Sequence, residues 1–220
     1  MMNKKDHSAY FGEKTTAVNI SKLTVTDGNL IAADPLVGIY NDMPAYTQHI
    51  PSGTYDVSAC IIKKDGDIRI AAVEVNFSDK TPETFTLALD GTEDPEEVKA
   101  LSEDDYFGFP VDAGLAAIFD KTSLKAYMDY QDKWYEDNPD GNFYDDHLAK
   151  LFEESYKNHP DTQRSAGDYI DYDIPDTEYH IPMFATGYGD GYYPVYFGFS
   201  DDNEICCMMI LFIDISDEEV

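Results

Sequence analysis

The stretch Thr54-Tyr55-Asp56-Val57-Ser58-Ala59-Cys60-Ile61-Ile62-Lys63-Lys64-Asp65-Gly66-Asp67-Ile68-Arg69-Ile70-Ala71-Ala72-Val73-Glu74-Val75-Asn76-Phe77 decides the fold class. Two arms, Thr54 to Ile62 and Ile68 to Phe77, are rich in Val, Ile, Ala and Tyr, and Lys64-Asp65-Gly66-Asp67 connects them. Asp-Gly supplies the positive φ of a tight antiparallel turn, so the segment reads as a β-hairpin. Asp65 and Asp67 carry oxygens of the kind calcium takes, but a hairpin tip offers too few ligands, and turn chemistry accounts for them.

Upstream, Lys22 to Asp34 reads as two short strands around the turn Asp27-Gly28-Asn29, and residues 1–20 as a polar lead-in to a single domain over 21–220. Downstream, Asp90 to Asp105 is an acidic connector with a short helix opened by Pro95, Glu96 and Glu97 lying in its first turn. Phe107 to Phe119 returns to strand character. The period then changes. Leu124, Tyr127, Met128, Gln131, Trp134 and Tyr135 share a helical face after Thr122 or Ser123 as cap, and Leu148, Leu151, Phe152 and Tyr156 share another within His147 to Asn158. Residues 159–180 read as an irregular surface segment. Tyr192 to Phe199 is a strand, Ser200 to Asn203 a turn, and Glu204 to Ile215 an apolar run that belongs in the middle of a sheet. The sum is an α+β fold: mostly antiparallel, sandwich-like sheet with a pair of amphipathic helices packed to one side.

Charge sets the expected surface. Of the formal charge of −29, residues 1–90 carry 12 acids and 8 bases, whereas residues 91–220 carry 32 acids and 7 bases, or −25. Such a field repels nucleic acid and anionic membranes and attracts basic partners. With 17 Tyr and 12 Phe the chain is too aromatic for an acidic disordered protein. The nine-residue apolar run Ile205 to Ile213 is too short for a membrane helix, and no apolar signal segment follows the N-terminus. Cys60, Cys206 and Cys207 read as buried free thiols in a reducing cytoplasm, because adjacent strand residues point to opposite faces.

The residues that can carry chemistry are scattered. Asp34, Asp112 and Asp190 fall at strand ends or turns, and a pair of them would be the carboxylates of a small hydrolytic or metal-assisted enzyme. Glu136, Asn138 and Asp140 stand at the first, third and fifth positions of a loop resembling a helix–loop–helix calcium site. His147 sits at the twelfth position, where a bidentate Glu is needed. Gly187-Tyr188-Gly189-Asp190-Gly191 outlines a phosphate loop, but strand formers follow it, so it reads as a turn. No cofactor is expected. The densest mixture of acid and Tyr is Asp168, Tyr169, Asp171, Tyr172, Asp173, Asp176, Glu178 and Tyr179, which reads as an exposed docking surface with Tyr anchors and charged neighbours.

Five blocks carry a resemblance: Gly28 to Pro35, Ile50 to Tyr55, Phe109 to Gly114, Asn138 to Asp146 and Gly187 to Tyr196. Together, over roughly residues 25–215, they resemble a bacterial family of uncharacterised proteins, domain of unknown function 4241. The resemblance implies no activity and no catalytic residue. The expectation from the residues is an acidic cytoplasmic binding protein of the immunity or inhibitor type, neutralising a basic partner such as a toxin. The alternatives are the carboxylate enzyme above and an acidic protein with no dedicated partner.

Overall fold

The computed structural model describes residue 2 and residues 4–12, 15–102 and 105–215. In chain order the elements are α1 (Lys4–Phe11), β1 (Thr16–Val25), β2 (Leu30–Ala33), β3 (Gly53–Lys64), β4 (Asp67–Asn76), β5 (Thr84–Leu87), α2 (Pro95–Ala100), β6 (Gly108–Val111) and β7 (Leu115–Asp120). There follow α3 (Lys121–Asp137), α4 (Ala149–Asn158), β8 (Tyr169–Asp173), β9 (His180–Ala185), β10 (Gly191–Phe199) and β11 (Ile205–Leu211). They form a seven-stranded sheet, β1-β3-β4-β11-β10-β5 with β6 also on β10, and a four-stranded sheet, β2-β7-β9-β8. All the strand pairings are antiparallel. The fold is α+β and mostly sheet, as its residues predict.

The β3–β4 hairpin forms with Asp65 at φ 52° and Gly66 at φ 87° as its two-residue turn. That is the primed turn whose twist matches the flanking strands. β11 lies between β4 and β10, which is why its residues are apolar on both faces. Met208 and Ile210 point into the core between the sheets, and Cys207 and Met209 into a second core on the outer side. The small sheet divides in the same way. Leu30, Ala32, Ala116, Ile118 and Phe184 face the large sheet, while Ile31, Ala33, Ala117, Phe119 and Met183 face the helices. The order of layers is α1 with residues 213–215, large sheet, small sheet, α3 and α4. Each fully buried Leu, Ile or Phe in these cores contributes about 1.5–3 kcal/mol.

Three sequence expectations change. Residues 1–20 are more than a polar lead-in: they hold α1 and the first half of β1, with Tyr10 buried and its hydroxyl donating to the Ile213 carbonyl at 3.1 Å. Residues 1, 3, 13 and 14 of that segment lie outside the described residues. Lys22 to Asp34 is not a hairpin. β1 pairs with β3 and β2 with β7, so Asp27-Gly28-Asn29 is a corner between sheets. Turn residues dictate a local backbone shape, and Gly28 has it at φ 79°, but they do not dictate which strands then pair. Residues 159–180 are not wholly irregular, because β8 lies among them with Tyr169, Ile170 and Tyr172 buried. Third among the layers, its Tyr169 enters the inter-sheet core while Ile170 and Tyr172 meet the helices.

The helix pair takes its predicted side. Leu124 and Tyr127 of α3 and Phe152 of α4 are buried, and a π-helical stretch, Tyr144–Leu148, leads into α4. His147 on that stretch packs 4.9 Å from the Phe143 ring and sits 2.9 Å from the Tyr172 hydroxyl. Burial, with a lesser contribution from Lys150, holds its imidazole below the usual 6.5. The folded protein therefore binds fewer protons than the unfolded chain in mild acid. This contribution is complete above pH 6.5 and is lost as pH falls through the lower folded value. Urea unfolding between about pH 7 and about pH 5 is expected to show wild type losing more stability than His147→Phe. Parallel losses would refute it.

Candidate functional site

β10 serves two edge partners end to end: Gly191 to Pro194 pair with β6, and Tyr196 to Phe199 with β5. The connector from β5 to β6 must therefore loop outward at the sheet edge. It opens with a self-wired turn. Glu93 accepts the backbone N–H groups of Asp90 at 3.0 Å and Gly91 at 2.9 Å, and Asp90 accepts the Thr92 N–H at 2.8 Å. Asp94 then caps α2 through the Glu96 N–H at 2.8 Å. α2 buries no residue at all. A helix without a packed face has little to hold it to the body of the protein.

Beneath this loop lies a cleft of about 220 Å³, lined by Tyr40, Met43, Tyr46, Phe107 and Phe109, with Asp90 and Glu93 at its rim. The volume falls short of the ~300–1,000 Å³ of a small-molecule pocket and suits a single side chain. Tyr46 forms the floor, its ring edge-on to Phe197 at 6.0 Å. Burial drives the Tyr46 hydroxyl well above its ordinary pKa, a hydrogen bond to Ala32 opposes this, and Asp90 and Glu93 add to the rise. The phenol is neutral, and the negative charge resides on the rim. Beside the cleft, the Tyr106 and Tyr192 rings stack at 6.2 Å and 15°, and Tyr106 donates to the Tyr192 carbonyl at 3.2 Å. These two rings and Tyr40 are among the most exposed large apolar side chains, at 42%, 46% and 55%.

The acid and Tyr segment 168–179 is arranged differently from its prediction as one surface. Asp168, Tyr169 and Tyr172 are buried, and Tyr179 is half-buried against the helix-side core. Asp171, Asp173, Asp176 and Glu178 remain exposed. The inward Tyr side chains keep their polar tips paired, Tyr169 with Thr162 at 2.8 Å and Tyr172 with His147 at 2.9 Å. They are core residues. The exposed Tyr side chains lie instead at 40, 106, 135, 188 and 192, and those of the cleft region, 40, 106 and 192, are far apart in sequence; the signal for one of them was aromatic residues, Tyr106-Phe107, inside an otherwise acidic connector.

Asp34 and Asp112 do come together, but through backbone. The Asp34 carboxylate is fully buried and accepts four N–H groups: Leu36 and Val37 on Oδ1, Asp112 and Ala113 on Oδ2, the last at 2.7 Å. Asp112 and Asp190 are exposed. An enclosed carboxylate held in this way latches two loops and does not meet substrate. Asp120, equally buried, latches Thr26 and Asp27 to the start of α3. The calcium-like loop does not gather its oxygens: Glu136 and Asp140 are exposed, and the Asn138 side chain donates to the Trp134 carbonyl at 2.8 Å. The 187–191 segment is the β9–β10 turn, with Gly187 and Gly189 at positive φ. Cys60, Cys206 and Cys207 are free and buried.

A two-sheet α+β body with a protruding acidic, aromatic edge is the class that fold and cleft define. Residues 23–210 match the family described as protein of unknown function DUF4241, and the chain belongs to that family. No curated protein and no solved structure matches it. No helix among the described residues is long and apolar enough to cross a membrane.

Proposed function

We propose that this protein is a cytoplasmic acidic binding protein that captures a basic protein partner, in the manner of an immunity or inhibitor protein. The docking face is the cleft of Tyr40 and Tyr46 with the connector above it and the Tyr106–Tyr192 pair beside it. The observation that carries this reading is an aromatic cleft lined also by Asp90 and Glu93, which belong to a connector whose helix, α2, buries nothing of its own. Among the described connector residues, six acids (Asp90, Glu93, Asp94, Glu96, Glu97 and Asp105) face one base, Lys99, which Glu96 already pairs at 2.7 Å. A Lys or Arg entering the cleft meets ring faces and two carboxylates together, the combination that favours a cation. The wider field, −25 over residues 91–220, steers the encounter.

Capture of the partner from native lysate at low salt, followed by kinetics with the purified pair, tests this. The association rate is expected to fall steeply between low and physiological salt and to drop in Asp90→Asn/Glu93→Gln. Tyr192→Ala is expected to raise the dissociation rate by ~10-fold or more, as loss of an aromatic anchor does. Binding indifferent to salt and to all three substitutions would refute the proposal.

A further inference from the structure

On the opposite side of the molecule, under α1, the large sheet carries a second unusual group. Glu74 sits on β4, opposite Met209 of β11 and Ser58 of β3, with only 5% of its surface exposed. Among the described residues its ion-pair partner is His7 of α1, whose Nε2 lies 2.5 Å from Oε2. Cys207 of β11 shares the spot. One ligand atom from each of His7, Glu74 and Cys207 lies within 4.8 Å of the other two.

We propose that His7, Glu74 and Cys207 form a zinc site that clips the N-terminal helix onto the sheet. The donors are an imidazole nitrogen, a carboxylate oxygen and a sulfur, three protein ligands of the kinds zinc takes, and they leave the fourth tetrahedral position to water. Distances of ~2.0–2.3 Å from zinc place tetrahedral ligand atoms roughly 3.3–3.8 Å apart. The side chains need only sub-ångström to ångström shifts to reach that spacing. The His7–Glu74 contact opens as the proton between them is replaced by metal, and the Cys207 thiol gives up its proton in the same event.

Charge also balances. A thiolate, a carboxylate and Zn²⁺ sum to zero, which suits a site that is nearly dry. The surroundings hold the ligands in place. Phe85 stacks on the His7 ring at 5.4 Å and Phe11 tilts against it at 5.7 Å. Across from the sulfur is Gly198, where a Cβ would stand 2.5 Å from Cys207 Sγ, so the glycine makes room for it. His7 lies outside the family-matched residues 23–210, whereas Glu74 and Cys207 lie inside them. The three positions are too far apart in sequence for any spacing rule to flag them.

The test uses the full chain stripped of metal and titrated with Co²⁺ and then Zn²⁺ alone. One equivalent of Co²⁺ is expected to give a thiolate-to-metal charge-transfer band with intense tetrahedral d–d bands, both bleached by Zn²⁺. Cys207→Ala is expected to abolish the charge-transfer band. His7→Ala, a single change in α1, is expected to weaken Zn²⁺ binding by ~10-fold or more while the two-sheet body keeps its fold. Zn²⁺ is also expected to raise the thermal midpoint of wild type but not of either variant. A Co²⁺ complex without charge transfer, no bound Co²⁺, or Zn²⁺ affinity unchanged in His7→Ala would each overturn the proposal; the last would assign the metal to exposed carboxylates.

Discussion

Asp34→Ala is expected to destabilise the protein by ~3–5 kcal/mol, a large share of the ~5–15 kcal/mol that holds a typical domain folded. The carboxylate is fully enclosed, and four backbone N–H groups from two separate loops converge on it. Removing it leaves those donors without an acceptor, and an unsatisfied buried donor costs about 1–3 kcal/mol. Water entering the vacated space and the relief of burying a charge hold the total below the simple sum. Asp34→Asn keeps one acceptor oxygen and turns an NH₂ toward two donors, so it is expected to fall between. Urea unfolding with an unchanged slope reads both. A catalytic carboxylate behaves in the opposite way, since its removal commonly leaves stability unchanged or raises it. Asp34→Ala within about 1 kcal/mol of wild type would therefore refute the latch.

The second large effect is a contrast within one segment. Asp168→Ala is expected to cost ~2–3 kcal/mol and Asp173→Ala under ~0.5 kcal/mol, although both are acids in the same Tyr-rich stretch. The Asp168 carboxylate is buried, accepts the Arg164 backbone N–H at 2.5 Å and receives the Arg164 guanidinium at 2.5 and 2.8 Å. The Arg164 side chain is 39% exposed and can rehydrate, which keeps the cost below that of a wholly buried pair. Asp173 is exposed, 2.6 Å from His180 Nδ1 at the surface. Equal destabilisation by the two substitutions in thermal or urea melts would refute the assignment.

These residues show where legibility stopped. The β3–β4 hairpin was readable because turn chemistry and strand composition agree at Asp65-Gly66, and β11 because its apolar run has no polar face to give to solvent. The helix faces followed from their period. β8 was misread because Asp and Tyr alternating in a short segment suggest an irregular surface, whereas Ile170 and Tyr172 fill one face and Tyr169 begins the other, leaving only Asp171 and Asp173 outside. Tyr is ambiguous in that setting, equally at home in a core with its hydroxyl paired. The corner at Asp27-Gly28-Asn29 was misread because backbone turns are local and strand partners are not. The cleft was hidden because Tyr40, Tyr46, Asp90 and Phe107 meet only after β5, β6 and β10 pair.

The position of β11 has a consequence for synthesis. β4 is complete at Asn76 and its neighbour in the finished sheet begins at Ile205, 129 residues later. At about 5–20 residues per second, the ribosome takes roughly 6–26 s to supply it. Throughout that interval the β4 edge, with Val73 and Val75 on one side and Ala71 and Ala72 on the other, is open to strands of neighbouring nascent chains. Yield of native protein therefore depends on elongation speed and on holdase chaperones more than the finished molecule's packing suggests.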